Sequence, residues 1–503
     1  MISLYDHQKE GIDFLVQRQS AGLFFSMGLG KTRCALLAAQ QLFKTHKIDR
    51  VLVLAPAAVR ISWREEIDKL DLQGVKFVPC IYEPKKQTMY GAKAAERGML
   101  PVALISYALL PQERHVKAFS QWCLIGKTLL VCDESSFLKS RTAKQTKGAM
   151  TVSKCCGYCW LLTGTPIANS PLDLYSQALV MSPVNGNGHN YKPNAAGGPL
   201  KGFGNFYHFR SRYAVLKMVN MGQLRFQQVV GYQHLDELTE KFRPYVLRRT
   251  KEECLDLPAK TYVTREVMLS EATWKVYQEL KRDALLSLPD EDVRPEPNAA
   301  VRILRLCQLT SGHVGNVQGD VYNDDGIPDG APNLTRDVSS EKLDFLVEEL
   351  LDGELSSQVA TIVWCRWRRE RERLQQLLAT KLEVYGVFGG QQTKNRSESV
   401  QGFQISTARR VLIAQQHAGG FGLNLTAAST AVYLSNSFSF TDRIQSEDRQ
   451  HRIGQKNPCT YIDVLAVGPK GQKTVDHHVL ECLRNKKNLA ETTCSAWKRI
   501  LNE

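Results

Sequence analysis

The sequence is organised around one stretch, Ser26-Met27-Gly28-Leu29-Gly30-Lys31-Thr32. An apolar run at 22–25 precedes it and a helix-prone run at 33–43 follows it. A strand that breaks into glycines and restarts as a helix is typical of a phosphate-binding loop, in which backbone N–H groups and the helix N-terminus face phosphates. Lys31 would reach the β- and γ-phosphates and Thr32 would ligate magnesium. The stretch therefore predicts ATP and Mg²⁺ as cofactors.

One position departs from the strict G-x-x-x-x-G-K-T pattern, because Phe25 stands where the pattern has its first glycine. Taken alone, the stretch also fits an ordinary glycine turn between a strand and a helix. Upstream, Gln8 lies on a helical pattern, and its amide can both donate to and accept from an adenine edge. The candidate nucleotide-binding residues are Gln8, Gly28, Gly30, Lys31 and Thr32.

Composition limits the class of protein. The chain has 503 residues, enough for two to four domains, with 43% hydrophobic and 23% charged residues, as in globular proteins. It has no apolar run approaching the ~18 residues that span a bilayer and no signal-peptide pattern, so we expect a cytoplasmic protein without a membrane partner. The net charge of +14 favours a polyanionic partner such as nucleic acid.

After the phosphate loop, apolar β-prone runs alternate with helical patterns. The runs lie at 51–55, 102–106, 128–132 and 158–163, and the helical patterns between them at 61–70, 112–122 and 143–152. Unbroken apolar strands are typical of a parallel sheet that is covered on both faces. The first half is therefore predicted to be a doubly wound α/β domain, which binds ligands at the carboxyl ends of its strands.

Polar motifs stand at those strand ends. Asp133 and Glu134 directly follow a buried strand, where Asp133 would hold magnesium and Glu134 would polarise the attacking water. The next strand ends in Thr-Gly-Thr-Pro, residues 163–166, suited to sensing the neighbouring site. Pro56 and Ser106 end two further strands and are predicted to offer contacts to nucleic-acid phosphates.

The second half repeats the alternation without a phosphate loop, with strand-like runs at 361–365, 384–388, 411–414, 431–434 and 461–467. A glycine-rich segment at 415–426 follows one of these strands, and its Gly419, Gly420 and Asn424 are further candidate DNA contacts.

Gln445-Ser446-Glu447-Asp448-Arg449-Gln450-His451-Arg452-Ile453-Gly454-Gln455 lies on a helical pattern. Arg449 and Arg452 are three apart and would share one helix face, from which they would stabilise charge on the γ-phosphate as arginine fingers. Gln445 is a candidate nucleotide-binding residue of the same segment.

These motifs together resemble the superfamily-two helicase ATPases, and specifically the Swi/Snf family of double-stranded DNA translocases. The resemblance is carried by MGLGKT, the DE-x-x box with Phe137-Leu138-Lys139, LTGTPIAN, and a near match to QAxDRxHRIGQ. It spans Leu4 to about Val467 and implies an α/β fold of two RecA-like, doubly wound parallel-sheet lobes with helical insertions and an ATP cleft between them. The family usually has histidine where this chain has Ser136. A compact motor without accessory domains is expected.

The predicted organisation has five parts. They are a first lobe that binds ATP at 1–182, a helical and loop insertion at 183–245, an inter-lobe linker at 246–260, the start of the second lobe with a helical insertion and a mobile loop at 261–340, and the second lobe at 341–503. Aromatic and basic residues mix at 203–213, which fits either a nucleic-acid surface or an aromatic core with basic residues facing solvent.

The resemblance implies an ATP- and magnesium-dependent motor on double-stranded DNA, indifferent to base sequence. No wedge hairpin is obvious in the sequence, although the loop at 312–332 has room for one, and this favours movement on an intact duplex. Two alternatives remain: a strand-separating DNA or RNA helicase, and a DNA-binding scaffold whose nucleotide site is degenerate at Phe25 and Ser136. The scaffold is disfavoured because the candidate site residues are intact, namely Lys31, Asp133, Glu134, Arg449 and Arg452.

Overall fold

The computed structural model describes residues 4–57, 59–71, 76–90, 98–167, 170–181, 198–221, 224–286, 297–315, 336–416 and 423–485. The chain divides into two compact units, Met1–Asp256 and Leu257–Glu503, and each has its own large β-sheet. The division falls inside the predicted 246–260 linker. Within the described ranges, no helix is both long and apolar enough to cross a membrane.

Unit 1 alternates strands and helices. Its elements are α1 Asp6–Val16, β1 Ser20–Phe25, α2 Lys31–Lys44, β2 Arg50–Ala55, α3 Val59–Asp71, β3 Phe77–Glu83, β4 Thr88–Tyr90, β5 Leu100–Ser106, α4 Glu113–Leu124, β6 Thr128–Asp133, α5 Lys144–Ser153, β7 Tyr158–Leu162, α6 Asp173–Met181, α7 Phe206–Tyr213, β8 Ala214–Met221, β9 Leu224–Tyr232, α8 Leu235–Phe242, β10 Val246–Arg249 and α9 Lys251–Cys254.

The large sheet of unit 1 has the strand order β10-β1-β7-β6-β2-β5-β3-β4. All neighbours are parallel except β3 and β4. Every residue of β1, β2 and β6 is buried, because helices cover both faces of a parallel sheet. The doubly wound domain and its four predicted strands after the phosphate loop are confirmed.

Two segments of unit 1 differ from the prediction. Strands β8 and β9 form an antiparallel hairpin inside the 183–245 region, for which only helix and loop were predicted. Their β-branched and aromatic residues favour extended backbone. A hairpin is thus present although none is obvious from the sequence. Strand β10, assigned to the linker, pairs in parallel with β1 and completes the sheet at that edge.

Unit 2 is a second α/β unit. Its elements are β11 Lys260–Met268, α10 Glu271–Leu286, α11 Pro297–Thr310, β12 His313–Val314, β13 Arg336–Asp337, α12 Glu341–Leu351, β14 Ala360–Cys365, α13 Arg368–Leu378, β15 Glu383–Val387, α14 Thr393–Ile405, β16 Arg410–Gln415, β17 Thr430–Tyr433, α15 Phe440–Glu447, β18 Cys459–Val467 and α16 Val475–Arg484.

The large sheet of unit 2 has six parallel strands in the order β11-β18-β17-β14-β16-β15. Its central strand β14 is buried along its whole length, as the apolar run at 361–365 predicts. Helices α10 and α11 form the predicted helical insertion. Most of the predicted mobile loop, residues 316–332, lies outside the described residues. Both units therefore have the predicted doubly wound architecture.

Candidate nucleotide-binding site

Three loops of unit 1 meet at one edge of its sheet. Strands β1, β7 and β6 are consecutive neighbours and run in parallel, so their carboxyl ends lie side by side. The segment after β1 is the glycine stretch, that after β7 contains Thr-Gly-Thr-Pro, and that after β6 contains Glu134. An added Cβ on Gly164 would lie 3.3 Å from the backbone of Met27. The fold thus brings the three predicted motifs of this unit together.

The glycines of the stretch are required by backbone geometry. Gly28 and Gly30 have φ of 86° and 84°, in the left-handed region that side chains disfavour. A Cβ added to Gly30 would lie 2.4 Å from Nε2 of Gln8. Helix α2 begins at the next residue, Lys31. The loop therefore has a backbone that favours glycine and leads directly into a helix N-terminus.

Phe25 does not disturb this loop, although it breaks the motif. Its ring is fully buried, packed against α1, where a Cβ on Gly11 would lie 3.1 Å from it. Its carbonyl oxygen accepts a hydrogen bond from Nζ of Lys31 at 2.8 Å, and that of Ser26 lies 3.5 Å from the same nitrogen. The residue acts on the loop through its backbone, so the larger side chain is tolerated.

The predicted adenine ligand Gln8 holds the loop in this structure. Its Nε2 donates to the carbonyl oxygen of Leu29 at 3.3 Å, and its Oε1 accepts from the backbone N–H of Tyr5 at 3.3 Å. Nε2 of His7 lies 3.0 Å from the same Leu29 oxygen. Each amide atom of Gln8 keeps one further hydrogen-bonding position. Pairing with adenine stays a prediction.

Asp133 is a buried carboxylate at the end of β6, 4% exposed. Its Oδ2 accepts from Nε1 of Trp63 at 2.7 Å, and its Oδ1 accepts from the N–H of Glu134 at 3.0 Å. Burial raises the pKa of Asp133, while the Trp63 bond and the charge of Lys31 lower it. A buried carboxylate whose ionised form is disfavoured by desolvation would be stabilised by a bound cation. Asp133 and Thr32 are hard oxygen donors, which is the donor class that magnesium prefers.

Glu134 has a strained backbone. Its φ of 50° and ψ of 55° are left-handed, which costs a non-glycine residue ~1–3 kcal/mol and is most often found at functional sites. It is buried and immediately precedes a short 3₁₀ helix, Ser135–Leu138. Because of this left-handed backbone, the Glu134 side chain points in a different direction from the one that extended strand geometry would give it.

A single buried glutamine connects the Glu134 loop to the Thr-Gly-Thr-Pro loop. Oγ of Ser135 donates to Oε1 of Gln177 at 2.8 Å, and Nε2 of Gln177 donates to the carbonyl oxygen of Pro166 at 2.7 Å. Gln177 is 0% exposed on α6. Ser136, which replaces the family's histidine, is buried beside this link. The connection between the two loops in this chain therefore runs through Ser135 and Gln177.

Three residues of this site were not predicted. Trp63 holds the Asp133 carboxylate, Tyr107 donates its hydroxyl to the Asp133 carbonyl oxygen at 2.9 Å, and Gln177 joins the loops. For Gln177 a signal existed, because it is a long polar residue directly before the apolar run 178–181 of its helix. Trp63 and Tyr107 carry no such signal in the sequence.

The arginines of unit 2 are not on a helix, which corrects the prediction. Helix α15 ends at Glu447, and Arg449 and Arg452 lie in the turns that follow it. The carbonyl oxygen of Arg449 accepts from the N–H of Leu425 at 2.9 Å, and Nη1 of Arg452 donates to the carbonyl oxygen of Leu423 at 3.0 Å. These tertiary bonds replace the continuation of the helix, so the one-face argument from helical spacing does not apply.

The helix before these arginines is anchored by a buried charge cluster. Glu447 accepts from Lys260 at 3.1 Å, Tyr262 at 2.8 Å and Arg443 at 2.8 Å. Arg443 also donates to Asp463 at 2.5 Å. The predicted nucleotide ligand Gln445 is buried on this helix. The cluster fixes the position at which the arginine segment begins.

The predicted DNA contacts differ in accessibility. Asn424 is exposed, whereas Pro56 and Ser106 are buried at the ends of β2 and β5. Oγ of Ser106 accepts from the N–H of Ala108 at 3.3 Å, so this hydroxyl caps a helical turn. Gly419 and Gly420 lie outside the described residues. The contacts of all five residues with DNA stay predictions.

Two family models match this chain. The SNF2-related domain matches residues 7–309, and the helicase conserved C-terminal domain matches residues 341–454. An uncharacterized ATP-dependent helicase of Mycoplasma genitalium is 26% identical over 499 residues, covering 98% of this chain and 42% of that protein. The ATP-dependent helicase fft3 of Schizosaccharomyces pombe is 24% identical over 570 residues, covering 98% and 57%. The chain spans about half the length of these curated relatives.

A solved structure, the Sulfolobus solfataricus SWI2/SNF2 ATPase core in complex with dsDNA, aligns with 100% of this chain and 95% of its own at 20% identity. The TM-score is 0.39, which adds nothing to the family match.

Proposed function

The chain belongs to the SNF2-related family, and on that premise we propose that it is a motor that couples ATP hydrolysis to movement along double-stranded DNA. The family assignment makes it a helicase-type ATPase; the duplex track and movement without strand separation are the finer proposal. The observation that carries it is the meeting of the glycine stretch, the Thr-Gly-Thr-Pro loop and Asp133-Glu134 on three neighbouring strand ends of unit 1.

Each residue of that edge has a proposed role. The loop backbone at Gly28 and Gly30, together with Lys31, binds the phosphates of ATP. Thr32 and Asp133 would hold magnesium, which neutralises phosphate charge when bound. Glu134 orients the attacking water. These roles are supported by the left-handed backbone at Gly28 and Gly30, by the buried Asp133 carboxylate, and by the strained backbone of Glu134.

Unit 2 is proposed to complete the chemistry. Arg449 and Arg452 supply positive charge to the γ-phosphate during hydrolysis, and Gln445 assists nucleotide binding. The proposal rests on the match of this segment to the family's motif and on its anchoring by Glu447. One ATP would then be processed for each cycle of the motor, since unit 2 has no phosphate loop of its own.

Double-stranded DNA is the proposed track because the chain carries a net charge of +14 and its relatives are named helicases. Contacts from strand-end loops, including Pro56, Ser106, Gly419, Gly420 and Asn424, would reach the phosphate backbone rather than the bases. Such binding is indifferent to sequence and weakens steeply with salt.

The first test measures ATP turnover with no nucleic acid, duplex DNA, single-stranded DNA and RNA, beside displacement of a third strand from a triplex. We expect duplex DNA to stimulate turnover most and triplex displacement to occur without unwinding of a forked duplex. Omitting magnesium should abolish both activities.

A strand-separating helicase is the second candidate, favoured by the β8–β9 hairpin, since an antiparallel hairpin can act as a wedge. Efficient unwinding of the forked duplex, with turnover driven best by single strands, would establish that candidate and refute the duplex motor. Turnover that ignores every nucleic acid would refute both.

A further inference from the structure

Positive charge is concentrated in one part of unit 1. Residues 135–235 contain eleven lysines and arginines but a single acidic residue, Asp173. Ten of the fourteen net positive charges of the chain therefore arise in about a fifth of its length. Within this range only residues 135–138 and 163–166 belong to the candidate nucleotide site's loops, and none of these eight residues is charged.

Part of this charge is arranged around an exposed aromatic ring. Tyr207 on α7 is 58% exposed, although its neighbours Phe209 and Tyr213 are fully buried in the aromatic core. The guanidinium carbon of Arg141 lies 5.8 Å from the centroid of the Tyr207 ring, and that of Arg210 lies 5.5 Å from it. The loop before α5 and the exposed side of α7 thus share one basic surface.

The surface continues onto the hairpin. Nη2 of Arg210 donates to Oε1 of Gln227 on β9 at 2.6 Å. Arg225 is two residues from Gln227 on the same strand, so both side chains leave the same face, about 7 Å apart. We call Arg141, Tyr207, Arg210 and Arg225 the basic ridge. It crosses from a strand-end loop of the large sheet to the outer part of the hairpin.

The ridge lacks internal counter-charges. The adjacent Arg212 forms a salt bridge with Glu237, but in the described part of the chain no carboxylate lies within salt-bridge distance of Arg141, Arg210 or Arg225. Nε of Arg210 is buried and has no hydrogen-bond partner among the described residues. Three guanidiniums with no neutralising partner mark a site for an external anion.

We propose that the basic ridge binds the phosphate backbone of duplex DNA, as a contact surface of unit 1 additional to the strand-end loops. The choice of DNA as the polyanion rests on the proposed function. The ridge offers three guanidiniums and one aromatic ring, and backbone binding depends on charge, whereas single-strand binding depends on a series of stacking rings. In this proposal the hairpin contacts the phosphate backbone of the duplex.

The test compares two double variants of the full chain. Arg141→Gln with Arg225→Gln removes two exposed charges from the ridge. Lys47→Gln with Lys117→Gln removes two exposed charges from unit 1 elsewhere, before β2 and on α4, and has the same net charge. Duplex DNA affinity is measured for both and for wild type between about 50 and 200 mM salt, without nucleotide.

Each phosphate contact contributes about 0.9 to the slope of log affinity against log salt, so the ridge variant should have a slope smaller by about 1.8. Over that fourfold salt range the wild-type protein should lose about 12-fold more affinity than the ridge variant. The control variant should keep the wild-type slope, as should Arg141→Lys with Arg225→Lys, which preserves the charge.

A ridge variant with the wild-type slope, or a control variant that loses as much slope, would overturn the proposal. The affinities of Tyr207→Ala for single-stranded and duplex DNA are measured as well. Loss of single-strand affinity with unchanged duplex affinity would show that the ridge binds single strands and would overturn the proposal. The salt dependence of duplex affinity is measured without nucleotide, so it does not depend on ATP hydrolysis. A wild-type ATPase indifferent to duplex DNA would refute the proposed function, whereas the slope comparison decides the ridge.

Discussion

Glu134 is the residue on which hydrolysis should depend most, because its buried side chain follows β6 on a left-handed backbone. Glu134→Gln keeps the shape but removes the charge that polarises water, so ATP should still bind. Turnover should fall by ~10²–10³, the typical effect of losing one electrostatic catalytic group. Nucleotide affinity and kcat, measured on the same purified variant, check this.

Lys31→Ala is the comparison, since it should weaken ATP binding as well as turnover by removing the ammonium next to the loop carbonyls. Wild-type turnover in Glu134→Gln would exclude Glu134 from the chemistry. Hydrolysis by the wild type that is lost in both variants would also exclude the scaffold alternative, because a scaffold with a degenerate nucleotide site would not hydrolyse ATP.

Site residues could be predicted where the motif is contiguous. Gly30 and Asp133 stand in short strings whose spacing encodes their geometry, and φ at Gly30 agrees with that expectation. Trp63 and Tyr107 could not be predicted, because they reach Asp133 from α3 and from the end of β5 only after the sheet has assembled. A long-range hydrogen bond leaves no pattern in one sequence.

Among elements, helix α6 is expected to couple two loops through Gln177. Gln177→Leu removes the hydrogen bonds to both loops, and with them a bond to the Asp173 carbonyl oxygen on its own helix. We expect kcat to fall about tenfold, equivalent to roughly 1.4 kcal/mol of barrier, with little change in KM for ATP. Gln177→Glu keeps the acceptor for Ser135 but loses the donor to Pro166, and should be intermediate.

The matched control is Ser176→Ala on the same helix, which removes a hydrogen bond from Ser176 Oγ to the Lys139 carbonyl oxygen at 2.7 Å. It should lower the free energy of unfolding by ~1 kcal/mol and leave kcat near wild type. Lowered stability but unchanged kcat in Gln177→Leu would show that Gln177 contributes to packing and does not couple the two loops.

Secondary-structure elements could be predicted where the hydrophobic pattern determines the structure. They were missed where tertiary contacts determine it. The buried parallel strands follow from their apolar runs. The end of α15 at Glu447 does not, because the hydrogen bond from Leu425 to Arg449 overrides a helical pattern that continues further. The hairpin had a weak local signal in the sequence, Gly222, because glycine is common in tight turns between strands.

At the scale of the whole molecule, hydrolysis is expected to need both units. Residues 1–256 contain the glycine stretch and Glu134 but lack Arg449 and Arg452. This fragment should bind ATP and hydrolyse it negligibly. Residues 257–503 added as a separate chain should restore little, because the covalent connection supplies their effective concentration. Turnover with duplex DNA checks both expectations.

Cooperative thermal unfolding of the fragment serves as its control for folding. Arg449→Ala with Arg452→Ala in the full chain should reproduce the loss of hydrolysis without dividing the protein. Full DNA-stimulated turnover by residues 1–256 alone would show that the arginines are dispensable.

The position of β10 has a mechanical consequence. This strand is the last of unit 1 before the chain passes to unit 2, and it pairs with β1 over four residues, from Gly22 opposite Val246 to Phe25 opposite Arg249. The N–H of Ser26, the first residue of the glycine stretch, donates to the carbonyl oxygen of Arg249 at 2.9 Å. Tension along the chain that leaves β10 would therefore load these hydrogen bonds in shear, and the last of them holds the first residue of the glycine stretch.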